Sequence, residues 1–284
     1  MRKLNIAIVG LGNIGSYLYK YLNDNKKILT EKNNCLPVVK YVSAKNKKRK
    51  RNIKIKKKQW LNNYLDSTTN KDVDIIVELI GGAEGPAKKL VFNALKNKKH
   101  VVTANKALIA KYGDKLARIA EKNQVNLEFE ASVCGGVPII RSLKEGLIAN
   151  KISKIYGIFN GTSNYILSSM DKNNKDFDEV LINAKNLGYA ESNPSADLSG
   201  DDVASKLKIL TSLCFNSFLN NNIFVEGIKN IDKTDIENAN KLGFKIKLLG
   251  YSELLNNKIY QRVHPVLIKK NSFVAGVDGV LNAV

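Results

Sequence analysis

Cysteine is scarce in this 284-residue chain. Its three copies, Cys35, Cys134 and Cys214, are odd in number, show no C-x-x-C spacing and have only two histidines, His100 and His264, as imidazole partners. A reduced, cytoplasmic protein without a structural zinc site fits this best. Long apolar runs are also lacking: no segment approaches the roughly 18 to 20 residues that span a bilayer. Met1-Arg2-Lys3-Leu4 leads into a strand pattern instead of the apolar core of a signal peptide. Neither export nor a membrane partner is expected. Acidic residues are in deficit, 26 against 46 Lys and Arg, for a formal net charge of +20. Such an excess attracts phosphate polymers and raises nucleic acid as a partner. Ten of the cations, with no acid among them, lie in residues 45–58, where no aromatic platform of the kind single-strand binders use is interleaved. The stretch reads as a solvated basic loop, and nucleic acid is not expected.

What is present begins with a core: 44% hydrophobic residues suffice for one or two domains. Residues 4–9 form a short apolar run that predicts a buried strand. Gly10, Leu11, Gly12, Asn13, Ile14 and Gly15 follow at once, then a helix over about residues 14–23. Between a strand and a helix, G-x-G-x-x-G glycines allow a tight turn, close backbone approach to a pyrophosphate and close helix packing. The helix N-terminus then offers N–H groups to phosphate. The second strand, residues 36–43, ends without the acid that holds an NAD ribose. Ser43, Ala44 and Lys45 stand there instead, which suits the 2′-phosphate of NADP better, with NAD as the alternative. Further strands over 73–80 and 100–103, with a helix over 86–96 between them, predict a parallel sheet whose ligands bind beyond the carboxyl ends. Gly81, Gly82 and residues 103–106 lie at those ends. Later in the chain, a helix over 234–242 and strands over 245–251 and 259–266 are expected.

Several longer motifs carry a specific resemblance. The run Val101-Val102-Thr103-Ala104-Asn105-Lys106-Ala107-Leu108, the pair of segments Phe129-Glu130-Ala131-Ser132-Val133 and Gly135-Gly136-Val137-Pro138, and the stretch from Gly157 to Leu167 occur in order. They are followed by Leu187-Gly188-Tyr189-Ala190-Glu191-Ser192-Asn193-Pro194 and by residues 197–207. Together they resemble the homoserine dehydrogenase family over nearly the whole chain. Members normally continue past this point with a segment that returns to the nucleotide domain, so the C-terminal end reads as incomplete, and no appended regulatory domain is expected.

The resemblance implies NADP-dependent interconversion of L-homoserine and L-aspartate 4-semialdehyde, on the route to threonine and methionine. It implies a homodimer formed through a sheet. It also implies a monovalent cation, typically sodium, held largely by carbonyls matching Glu130, Val133, Gly135 and Val137. Lys106 would lie beside the cofactor, and Glu191, Asp202, Thr162 and Tyr189 would bind substrate. The expected cofactor contacts are residues 10–15, Lys45, Gly81 and Lys106.

Read physically, Ser199 or Asp201 can cap a helix running to about residue 212, which puts Asp202 and Lys206 four residues apart on one face. In an arbitrary helix this is an exposed salt bridge worth a few tenths of a kcal/mol; beside the Glu191 motif it reads as a catalytic pair. Alcohol oxidation sends a hydride to the nicotinamide and a proton to a base. Lys206 is the candidate for that proton, Asp202 orients the substrate or its water, and Glu191 accepts from the substrate ammonium. Lys106 supplies positive charge that lowers the Lys206 pKa if the two are close, and which of the two lysines moves the proton stays open.

The expected architecture is α/β. A Rossmann-type parallel-sheet nucleotide domain spans residues 1–133, and an α+β substrate and dimerisation domain spans 134–284. Two rivals remain: another NADP-dependent oxidoreductase of amino-acid aldehydes, and a basic binding protein that kept the nucleotide fold without turnover.

Overall fold

The computed structural model describes residues 1–216 and 223–284. They divide into two units, Met1–Ser132 and Val133–Val284. In the first, strands β1 (Arg2–Val9), β2 (Cys35–Ser43), β3 (Ile75–Glu78), β4 (His100–Thr103) and β5 (Leu127–Glu128) form one sheet in the order β2-β1-β3-β4-β5. Every neighbouring pair is parallel. Burial along β1 rises from exposed Arg2 and Lys3 to buried Ile6, Ala7, Ile8 and Val9. That continuous apolar run is the signature of a strand covered on both faces. Helices α1 (Asn13–Asp24), α2 (Lys26–Asn33), α3 (Asp66–Thr69), α4 (Pro86–Lys96) and α5 (Lys106–Lys122) make the connections. Proline at the first turn of α4 costs no hydrogen bond, and Ala87, Leu90, Val91, Ala94 and Leu95 recur at helical spacing and are buried.

In the second unit, β6 (Lys154–Gly157), β7 (Phe224–Val225), β8 (Phe244–Leu255) and β9 (Lys258–Lys269) form a mixed sheet in the order β6-β8-β9-β7. Its helices are α6 (Ile139–Arg141), α7 (Gly161–Asn173), α8 (Phe177–Asn186), α9 (Ser195–Ser199), α10 (Asp201–Phe215) and α11 (Lys233–Lys241). The sequence places strands over 245–251 and 259–266, but β8 and β9 run on until they meet in a hairpin. Its two turn residues, Asn256 and Asn257, both have positive φ, 50° and 60°. An Asn-Asn pair tolerates that conformation, so the turn signal was present in the sequence. Conversely, β3 covers Ile75–Glu78, two residues less at each end than the expected 73–80, and beyond it the Glu78 carboxylate takes the N–H groups of Ile80 and Gly81.

A buried lysine ties the last residues to this unit. Lys247 on β8 is 1% exposed, and its ammonium donates to Val277 O (2.7 Å), Asp278 Oδ1 (2.9 Å), Asn164 Oδ1 (3.1 Å) and Ser168 Oγ (3.3 Å). Asn164 in turn donates to Val277 O and Leu281 O, and Ala283 pairs with Ile158 beyond the end of β6. Burial pulls the Lys247 pKa down, opposed by Asp278. Burial alone would raise the Asp278 pKa, but hydrogen bonds from Lys247 and Lys172 outweigh it and hold it at about 2. A carboxyl depressed in the folded state contributes stability at neutral pH that is lost as pH falls from its ordinary value, about 4, toward 2. Replacing Lys247 by Met leaves Asp278 without its buried partner. Urea unfolding of Lys247→Met at pH 7 is expected to show a loss of about 3 kcal/mol, with a smaller acid-induced decline below pH 4 than in the parent chain.

Candidate functional site

In the first unit the candidate site is one row of residues across the carboxyl ends of the strands. The register pairs Ser43 with Val9, Val9 with Glu78, and Glu78 with Thr103. Directly beyond that row lie the glycine-rich loop, the loop of Gly81 and Gly82, and Lys106 at the start of α5. Gly10 has φ 108°, and a Cβ there would stand 2.4 Å from Leu79 O. A Cβ on Gly15 would stand 2.0 Å from Gly10 O, whereas one on Gly12 would meet nothing within 4 Å. Two of the three glycines therefore permit close packing of backbone on backbone, and the third leaves open space beside the N-terminus of α1. That division fits a pyrophosphate lying against Gly12. Gly81 and Gly82 both have positive φ, 85° and 81°; a Cβ on Gly81 would meet open space and one on Gly82 would touch Glu84 O at 3.9 Å.

The basic stretch after β2 folds back onto this loop. Arg51 donates from Nε to Leu11 O (2.9 Å) and from its terminal nitrogens to Asn46 O (2.9 Å) and Arg49 O (2.8 Å), with its guanidinium 5.8 Å from the Trp60 ring centroid. A cation held by three main-chain carbonyls fixes the loop while keeping its positive charge. Lys45 is exposed on the same segment.

In the second unit the candidate site is built around Asp202 and Lys206 on successive turns of α10. They form an ion pair at 2.7 Å, with side chains only 4% and 14% exposed, which rules out the solvent-exposed helix pair. The Lys206 ammonium also donates to Phe159 O at 2.5 Å, and the amide of Asn160 donates to Asp202 Oδ2 (2.8 Å) and to Asp197 Oδ1 (2.7 Å). Asn160 holds this position because its own Oδ1 caps α7 by accepting from Ser163 N at 2.7 Å. Thr162 on the first turn of α7 donates to Tyr189 O at 2.7 Å, and the Tyr165 and Tyr189 rings meet edge to face at 4.9 Å. This attaches the turn that carries Glu191, itself exposed, to the helix beside the pair. Asn160 and Asp197 were not singled out as functional in the sequence; an Asn three residues before Ser-Asn at a strand-to-helix junction was the available signal.

The helix-capping expectation is corrected. The cap of α10 is Gly200, with φ 88°, and no side chain caps the helix. Ser199 Oγ instead donates to Asp201 Oδ2 at 2.6 Å, so the two expected caps satisfy each other. Cys134 is buried near the pair: burial, partly offset by the charge of Lys206, pushes its thiol up to about 11, so it stays protonated at neutral pH. All three cysteines are unpaired.

The residues expected around a cation fall in two places. Glu130 begins a short 3-10 turn at the end of the first unit. Val133 is buried and Gly135 exposed, on either side of Cys134, and Val137 N donates to Cys134 O at 2.9 Å, closing a tight turn. Among the described residues, no group of three or more His, Cys, Asp or Glu could hold a metal ion, and no helix is long and apolar enough to cross a membrane.

Fold and site define a two-unit α/β protein whose first unit has the architecture of a dinucleotide-binding domain. Residues 10–130 match the family model of the homoserine dehydrogenase NAD-binding domain, and residues 138–284 match the homoserine dehydrogenase model. The chain belongs to the homoserine dehydrogenase family. It is 41% identical to the homoserine dehydrogenase of Neisseria gonorrhoeae over 285 residues, covering 100% of this chain and 65% of that protein. With the Bacillus subtilis enzyme it shares 38% identity, covering 66% of that protein. The chain thus spans just under two thirds of the length of these relatives. The crystal structure of a homoserine dehydrogenase from Thiobacillus denitrificans superimposes with a TM-score of 0.91 at 39% identity, covering 99% of this chain and 65% of that one. A putative homoserine dehydrogenase from Archaeoglobus fulgidus gives 0.87 at 27% identity, covering 98% of this chain and 88% of that one.

The glycine geometry yields a direct contrast. Gly15→Ala forces backbone apart and is expected to cost roughly 2 kcal/mol, whereas Gly12→Ala should leave stability unchanged. Thermal unfolding of the two variants beside the parent chain checks this.

Proposed function

We propose that this chain is the dehydrogenase that interconverts L-homoserine and L-aspartate 4-semialdehyde with NADP, a reaction serving threonine and methionine synthesis. The observation that carries the reading is the Lys206–Asp202 pair, withdrawn from solvent and fixed by Phe159 O and Asn160. An ammonium has three N–H bonds. Two of them are engaged by Phe159 O and Asp202, and the third is assigned to the substrate oxygen. In the oxidation of homoserine Lys206 acts as the neutral amine, whose lone pair takes the hydroxyl proton; in the reduction it is the ammonium, and its third N–H returns that proton to the aldehyde oxygen. Asp202 keeps the amine oriented and stabilises its charged form, as the orienting acid does in a base-and-acid pair. Glu191, on the turn held by Thr162 and Tyr189, is assigned to the substrate ammonium. The bound nicotinamide cofactor would accept or supply the hydride.

For the cofactor, the proposed contacts are residues 10–15 on the pyrophosphate, with Gly81 and Lys106 on the nicotinamide side. NADP is preferred to NAD because β2 ends in Ser43 with no acid after it, and because Arg51 holds the basic loop with Lys45 against the glycine-rich turn. A sodium ion belongs to the same reading, assigned to the main-chain oxygens of Val133, Gly135 and Val137, the kind of ligand a hard cation takes. A homodimer is assigned to the sheet face where Tyr156, Tyr251 and Arg262 fall in one cross-strand row and Lys154, Glu253 and Tyr260 in the next. Tyr156 and Tyr260 are 45% and 53% exposed there.

Homoserine-dependent reduction of NADP by the purified chain tests the reading. Lys206→Ala is expected to lower kcat on the order of a thousandfold with folding preserved, and Gly12→Ala to weaken NADP binding while leaving stability intact. Absence of turnover in the parent chain, at any homoserine concentration, would overturn the proposal.

A further inference from the structure

Glu78 is a carboxylate 0% exposed to solvent at the end of a central strand, and the chemistry assigned above does not use it. Its environment is complete and specific. Oε1 accepts the N–H groups of Ile80 (2.7 Å) and Gly81 (3.0 Å), and Oε2 accepts the Thr103 hydroxyl at 2.5 Å. The Thr103 oxygen, its one hydrogen committed to Glu78, accepts from Asn105 N at 3.0 Å. Asn105 then closes a ring: its amide donates to Gly82 O (2.8 Å) and its Oδ1 accepts from Leu108 N (3.1 Å), capping α5 one residue before Lys106.

We infer that Glu78 is a positioning residue that sets the loop of Gly81 and Gly82 and the start of α5, with Lys106, in the geometry that receives the nicotinamide half of the cofactor. This rests on the cofactor reading above. The physical reason is the cost of the alternative. Two consecutive glycines with positive φ have little intrinsic preference for one conformation, so without an acceptor for the Ile80 and Gly81 amides the loop samples many. The carboxylate removes that freedom before any ligand binds, and pre-organisation of this kind raises affinity by lowering the ordering cost. The same ring reaches the glycine-rich loop, since Leu79 N donates to Val9 O at 2.8 Å and Gly10 packs on Leu79 O. Three strand ends are thus set by one buried acid.

Glu78→Gln keeps the shape but not the pattern. Whichever way the amide turns, its N–H bonds face either the two backbone donors or the Thr103 hydroxyl, whose hydrogen then loses its acceptor. The test measures NADPH affinity by fluorescence titration and amide hydrogen exchange over residues 79–82 in the chain without cofactor, for Glu78→Gln, Thr103→Val and Thr103→Ser. Expected are an affinity loss on the order of tenfold and faster exchange at Ile80 and Gly81 in Glu78→Gln and Thr103→Val, with unfolding still cooperative. In Thr103→Ser, which keeps the hydroxyl, both readouts should return toward the parent. A cooperatively folded Glu78→Gln with the parent's NADPH affinity and exchange would overturn the inference. A parent chain inactive on homoserine but showing these losses would uphold Glu78 and overturn the dehydrogenase reading. A parent chain that does not bind NADPH would overturn both.

Discussion

A lysine and an aspartate one helical turn apart normally share their charges with water. On α10 they cannot, because the side chains are 14% and 4% exposed, and each must find protein partners or pay the desolvation cost of a buried ion. The local structure of the second unit meets that requirement. Phe159 presents a carbonyl to Lys206 at the end of β6, and Asn160 turns its amide to Asp202 and Asp197 while its oxygen starts α7. The C-terminal residues brace the same junction, with Ile158 and Ala283 exchanging hydrogen bonds at 2.8 and 3.1 Å. The buried ammonium of Lys247 holds the preceding turn in place.

The first unit solves a related problem with main-chain groups. Parallel strands end in unpaired N–H and C=O groups, and here the row of Ser43, Val9, Glu78 and Thr103 converts those ends into ordered loops. Ser43 O accepts from Gly10 N at 2.9 Å, Arg51 caps Leu11 O, and Glu78 gathers the loop after β3. The Arg51 guanidinium lies against the glycine-rich loop, and the Glu78 carboxylate is buried and hydrogen-bonded through both oxygens. The basic stretch of residues 45–58 is accordingly more than solvated surface: one of its arginines is a structural part of the glycine-rich loop.

Much of this was legible in the residues. Apolar runs ending in Gly10 and Gly81 marked parallel strands, and the positions of Asp202 and Lys206 marked a common helix face, because both depend on periodicity within a short segment. What escaped depended on contacts distant in sequence. The burial of the Asp202–Lys206 pair is set by Phe159 and Asn160, more than forty residues upstream. Glu78 read as one more residue of a strand, since its partner Thr103 lies 25 residues on. The cap of α10 was misplaced because Ser199 and Asp201 bond each other, leaving a left-handed Gly200 at the boundary. Polar α2, with no buried residue, offers no apolar stripe to read.

The central claim is that Asp202 and Lys206 operate as one unit on the reacting oxygen. A double-mutant cycle on kcat/KM for homoserine, with Asp202→Asn, Lys206→Met and the combination, measures that coupling directly. If the pair is one device, the double variant should lose little beyond the worse single variant, about tenfold at most. Losses that add fully on the free-energy scale would contradict the account, because the two side chains would then act independently.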